Sequence, residues 1–261
     1  MVTRRDVLKS VAVGTAAFAL SQLPGMGCGP GEVEEKVEEV EKPHEVEVEK
    51  PHEVEKVEKV YLPQEALARL RKGNQRYVSM NRLSDPGVGP KARAPLTKGQ
   101  WPYTTILCCS DSRVPPELIF DEGLGCLFIV RVAGNILTPP LLGSIEYASM
   151  HSTSRLIMVM GHESCGAVGA AVHVAEHPGT KETPGIDNIV NCLMPAVLKA
   201  RKETGYHGKE LVEAAARENV RMVVKQIADE SQPLRKMQDR GELKIVGGYY
   251  SLTTGMVDIW V

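Results

Sequence analysis

The stretch YTTILCCSDSRVPPE, Tyr103–Glu117, decides how this chain is read. Its first seven residues form an apolar run of strand length. No turn residue separates them from a cluster of serine, aspartate and arginine. A run that is apolar at nearly every position, rather than alternating, fits a strand covered on both faces, as in a parallel sheet. Two more such runs follow, CLFIVRVA (Cys126–Ala133) and RLIMVMGH (Arg155–His162). Helical patterns lie at Pro63–Ser79, Pro140–Ser152, Gly166–His177, Ile186–Glu203 and Lys209–Glu230, and a loop rich in Pro and Gly spans about Ser84–Pro102. The chain closes on ELKIVGGYYSLTTGMVDIWV, which reads as a strand, a Thr/Gly turn and a second strand. Strands alternating with helices predict an α/β doubly wound domain. Sites in such sheets lie beyond the carboxyl ends of the strands. CSDSR and GHESC both fall there.

Cys109 ends the first run, and His162 and Cys165 follow the third. If those strands are neighbours, two thiols and an imidazole converge. Thiolate and neutral imidazole both suit zinc, and three protein ligands leave a fourth position for water, the pattern of a catalytic centre. A Cys109–Cys165 disulfide is the alternative, but it gives the adjacent charges no role. Cys108, Cys126 and Cys192 read as inert small hydrophobes. Along an extended stretch, alternation puts Cys109, Asp111 and Arg113 on one side. A guanidinium there keeps the aspartate ionised and fixes it in a bidentate fork. Such a carboxylate can accept a hydrogen bond from water on a metal, or take the fourth position itself.

Together, CSDSRVPPELIFDEGLGCLFIVRVAGN, GSIEYA and GHESCGAV resemble the β-class carbonic anhydrases, and the likeness runs from about Leu62 to the final strand. The resemblance implies an α/β fold with a central four-stranded parallel sheet, flanking helices and a C-terminal strand extension. It implies one zinc ion per subunit on Cys109, His162 and Cys165, with Asp111 and Arg113 as the catalytic pair. It further implies a homodimer or larger even oligomer, and reversible hydration of CO2 to bicarbonate by a zinc-held hydroxide. Gln100, nine residues before Cys109, matches the plant-like, open-site members, where it is expected to bind substrate oxygen across a subunit contact. Ile106 stands where closed-site members often carry Trp, and Arg131 matches a residue of their regulatory pocket. Val114 and Ile136 are expected to line a CO2 pocket, and the backbone of Gly166 to orient the substrate oxygens. His151, His173 and His177 are proton-shuttle candidates by residue type alone. Val132 replaces a common Asn, and Cys126 a frequent Asp. Two other functions fit the same residues: hydrolysis of carbonyl sulfide or carbon disulfide, and zinc or bicarbonate binding without turnover. The retained Asp111–Arg113 pair speaks against the last.

The first 60 residues are of another kind. TRRDVLK (Thr3–Lys9), a short apolar run and a Pro/Gly break predict a twin-arginine export signal over residues 1–28. Cys28 is a candidate lipid-bearing cysteine and membrane tether. Residues 29–60 predict a Glu/Val/Lys-rich spacer containing KPHEVE twice, at Lys42 and Lys50, with His44 and His52 solvated. The expected location is the periplasm or the outer face of the cytoplasmic membrane. Of 31 basic and 33 acidic residues, residues 1–60 take 8 and 13, which leaves 23 and 20 for residues 61–261. A nearly neutral domain without a basic stripe interleaved with aromatics predicts no nucleic-acid partner.

Overall fold

A computed structural model describes residues 60–85 and 87–260. The expected export signal, Cys28 and all of the spacer but Val60 lie outside the described residues.

Five strands form one sheet in the order β2-β1-β3-β4-β5. They are β1 (Thr104–Cys108), β2 (Leu127–Arg131), β3 (Leu156–His162), β4 (Lys244–Tyr250) and β5 (Val257–Trp260). The first four are parallel and β5 pairs antiparallel with β4. This is the expected four-stranded parallel sheet with a C-terminal extension. Every residue of β1 and β3 is buried, as unbroken apolar runs require. By contrast, β2 is mostly half-buried despite an equally apolar sequence, because it is an edge strand.

The period-2 pattern of the strands divides the core in two. Ile106, Cys108, Met158 and Met160 face helix α1 (Pro63–Val78) and pack with its Ala66, Leu67 and Leu70. Leu107, Ile157 and Val159 face the other way. Helices α4 (Pro139–His151), α5 (Gly166–Glu176), α6 (Pro184–Thr204) and α7 (Gly208–Glu230) supply that second layer. The alternation assigns the two adjacent cysteines to opposite sides: Cys108 enters the α1 core and Cys109 the α5–α7 side. Thr183 caps α6 by accepting the N–H of Ile186, Pro184 stands in its first turn, and left-handed Gly205 ends it.

Three short helices go beyond the sequence reading. The loop expected over Ser84–Pro102 contains α2 (Pro90–Leu96), which has no buried residue. The turn after the cysteine cluster holds α3 (Pro116–Ile119). After α7, the side chain of Ser231 accepts the N–H of Leu234 and opens α8 (Gln232–Asp239), which buries only Leu234. Among the described residues no helix is long and apolar enough to cross a membrane.

Candidate active site

From β1 the chain passes to β2 on one side, and from β3 to β4 on the other. The strand order therefore reverses between β1 and β3, where open α/β sheets place their clefts. Cys108 pairs with Met160 in that register, so the residues that follow both strands are side by side.

Cys109 Sγ, His162 and Cys165 Sγ bring their ligand atoms within 4.8 Å of one another, and all three residues are buried. No other such group occurs among the described residues. The two sulfurs stand 4.0 Å apart as free thiols. Two thiolates on one tetrahedral zinc, at about 2.3 Å each, stand roughly 3.8 Å apart. His162 Nδ1 lies 2.9 Å from the carbonyl oxygen of Glu163. A carbonyl can only accept, so Nδ1 carries the proton and Nε2 is left a bare acceptor. That Nε2 is buried without a hydrogen-bond partner. A buried polar atom left so costs stability unless a ligand completes it. The donor set and the orphaned nitrogen fit a zinc ion, and the disulfide alternative is not what the thiols form.

The local backbone explains the convergence. Gly134 donates its N–H to Cys109 Sγ at 3.3 Å from a short 3-10 turn, Ala133–Asn135, and sits at φ 71°. A β-carbon there would meet Leu193 Cδ1 at 2.9 Å and sit at a left-handed torsion, so glycine is favoured on both counts. On the other side, Cys165 caps the N-terminus of α5, and Ser164 before it adopts φ 53°. The neighbouring Cys165 thiol, His162 and the Gly134 N–H pull the Cys109 thiol well below the ordinary thiol range, against burial.

Asp111 and Arg113 meet by a turn, not by the alternation expected of an extended stretch. Asp111 Oδ1 accepts the Arg113 backbone N–H at 2.9 Å, and Val114 N–H reaches the Asp111 carbonyl at 3.1 Å. The guanidinium then forks onto the carboxylate, Nε to Oδ1 at 2.9 Å and Nη2 to Oδ2 at 2.7 Å. Arg113 hydrogen bonding holds the Asp111 carboxyl well below the usual carboxylate range, outweighing burial. Oδ2 lies 4.0 Å from His162 Nε2, so the pair borders the Cys/His group. Arg131, which the sequence reading tied only to a regulatory pocket, grips this backbone: Nε donates to the Cys109 carbonyl at 2.9 Å and Nη2 to that of Asp111 at 2.6 Å.

The other expected residues divide. Ile136 packs with Cys109 and Cys165, and exposed Gly166 opens α5 with its N–H at the helix head. Val114 does not line this side: it is fully buried in the α1 core with Ile106 and Cys108. Gln100 is exposed on the loop entering β1, at the opposite end of that strand from Cys109, and the five strand residues between them alone span about 17 Å. His151 ends α4 beside Tyr147, and His173 and His177 sit together at the far end of α5, away from its Cys165 end. None is placed at the site. Burial pushes the Cys108 thiol up to about 12, in keeping with an inert residue. Cys192, read as an inert small hydrophobe, is exposed on the solvent side of α6. Cys126 accepts a 3.4 Å hydrogen bond from Arg69, whose charge is met by Glu122. Val132 is half-buried among the packed side chains of the second layer.

Fold and site together define an α/β protein with a two-cysteine, one-histidine centre at its switch point. The family model described as carbonic anhydrase matches residues 104–257. "Carbonic anhydrase 2" of Mycobacterium tuberculosis (strain ATCC 25618 / H37Rv) is 38% identical over 193 residues, 74% of this chain and 90% of that protein. The carbonic anhydrase of Mycolicibacterium smegmatis is 36% identical over 197 residues, 76% of this chain and 93% of its own. Among solved structures, the β-carbonic anhydrase CafA of Aspergillus fumigatus superposes with a TM-score of 0.58 at 26% identity, covering 75% of this chain and 88% of that one. The chain belongs to the carbonic anhydrase family, and to its β class.

Proposed function

We propose that this protein interconverts CO2 and bicarbonate at a zinc ion held by Cys109, His162 and Cys165. The observation that carries the reading is the bare, buried Nε2 of His162 facing two free thiols beside an arginine-fixed aspartate. When bound, zinc supplies a Lewis acid that lowers the pKa of a coordinated water from 15.7 to about 7. The chain's own residues do the rest. Asp111 stays ionised through neutrality and is available to accept a hydrogen bond at the site, with Arg113 fixing which way its oxygens point. Both of those oxygens are engaged by Arg113, which favours an open site over one in which Asp111 occupies the metal. The Gly166 N–H at the head of α5 offers a donor to a substrate oxygen, and Ile136 gives an apolar wall. Gln100 is too far from Cys109 to serve its own chain, so we assign it to the site of a second copy in a homodimer or larger even assembly. The open, apolar edge of β2 supports such an assembly. The paired arginines near the N-terminus support action outside the cytoplasm, with Cys28 as a tether.

The test is stopped-flow CO2 hydration with zinc content assayed on the same sample. Fast hydration that scales with zinc supports the reading. One zinc per chain with no hydration between about pH 7 and 9 would remove it, and turnover of carbonyl sulfide in that case would move the assignment to hydrolysis.

A further inference from the structure

We infer that a single helix, α7, sets the geometry of the zinc ligands, through two positioning residues, Asn219 and Glu213; the inference rests on the zinc reading above. Asn219 is only 3% exposed and donates Nδ2–H to the carbonyl of Gly134 at 2.9 Å. The same Gly134 offers its own N–H to Cys109 Sγ. Asn219 therefore holds, from behind, the left-handed peptide that polarises the first thiolate. A turn and a half earlier on α7, Glu213 Oε1 accepts the N–H of Ser164 at 2.8 Å. Ser164 is the left-handed residue between His162 and Cys165, and its carbonyl faces Arg113 Nη2 at 3.4 Å. Glu213 is itself fixed by the Tyr249 hydroxyl, which donates to Oε2, and Arg217 stacks over that ring at 3.9 Å.

Between these two contacts α7 lies directly on β3. A β-carbon at Gly161, beside His162, would meet Val220 Cγ2 at 2.8 Å and the Ala216 carbonyl at 3.4 Å. One rigid element thus touches the turn that hydrogen-bonds Cys109, the loop that carries Cys165 and the strand that ends in His162. The two segments follow different strands, β2 and β3, and among the described residues no other helix hydrogen-bonds to both. Outer contacts of this kind orient ligands and typically account for 10–100-fold in metal affinity.

The experiment compares four variants in the full chain: Asn219→Ala, Glu213→Ala, Glu213→Gln and Ile227→Ala. Ile227 is a fully buried α7 residue in the packing remote from the site, and controls for helix destabilisation. Readouts are zinc transfer to a chromogenic chelator, the thiolate-to-metal absorption of cobalt-substituted protein, and melting of the metal-free chain. Asn219→Ala and Glu213→Ala are expected to release zinc about tenfold faster or more and to shift the cobalt band. Glu213→Gln keeps an acceptor for Ser164 and should recover part of the loss. Ile227→Ala should lower the melting temperature with zinc release unchanged. Release that tracks melting temperature across all four, or stays within about twofold of the parent in both alanine variants, overturns the inference. A parent chain that holds no zinc overturns the zinc reading as well; a loaded parent with unaffected variants overturns this one alone.

Discussion

Asp111 commits both carboxylate oxygens to one guanidinium and a third bond to the Arg113 backbone. An asparagine in that place keeps the size but loses the charge and half of the fork. We expect Asp111→Asn to retain zinc and to lose roughly 10²–10⁴-fold in hydration rate, measured by stopped flow beside metal analysis. The same pair sets a stability window. The folded carboxyl titrates below its unfolded value of about 3.9, so its contribution is complete above that pH and lost as pH falls through the folded value. The parent should therefore exceed Asp111→Asn in stability by a constant margin above about pH 4, and the two should converge in stronger acid. Urea titrations across that range would check it, and a margin still growing between pH 5 and 8 would contradict it. Because the Arg113 side chain is 52% exposed, solvent screens the pair and the margin is small. The convergence of Cys109, His162 and Cys165 was readable in the sequence, since all three stand at the ends of neighbouring apolar runs. How Asp111 reaches Arg113 was not: a carboxylate accepting the N–H two residues on makes a turn from residues that also suit an extended strand. Glu213 and Asn219 gave no signal at all, as polar positions on a helix read the same whether they face solvent or hold a loop.

At the scale of elements, strand interiors were legible because burial on both faces leaves few alternatives to Val, Ile, Leu and Met. Single-residue alternation also sent Cys108 and Cys109 to opposite faces. Short helices were not legible. Ser231 breaks α7 with an extended torsion pair and caps α8 with the same side chain, yet only Leu234 marks the new helix as packed. Val114 was misplaced because the turn at Asp111 carries the chain back toward α1 instead of along the cleft. The 3-10 turn beside Cys109 is sensitive to change. Gly134→Ala must adopt φ 71° and push against Leu193 and Ala167. The torsion alone costs about 1–2 kcal/mol. Denaturant unfolding should show at least that loss, together with reduced zinc occupancy; a neutral result would mean the turn relaxes freely.

For the whole molecule, the position of Gln100 makes a test of assembly out of a test of chemistry. Gln100→Ala and Asp111→Asn each impair every site of their own homo-oligomer. If Gln100 serves the neighbouring copy, a mixed dimer gathers both defects into one site and leaves the other intact. Co-refolding the two inactive variants should then restore hydration, whereas a Gln100 acting within its own chain gives none. Light scattering on the same samples reports the assembly directly.

The switch between β1 and β3 has a further meaning in time. His162 ends β3 and Cys165 follows three residues later, so a chain still being ordered can offer them together. Cys109 joins only when β1 docks alongside β3, at a sequence separation of 56 from Cys165. Completion of the three-ligand set is thus a clock for one long-range strand pairing, and the rate at which a refolding chain captures metal reads out the moment its sheet closes.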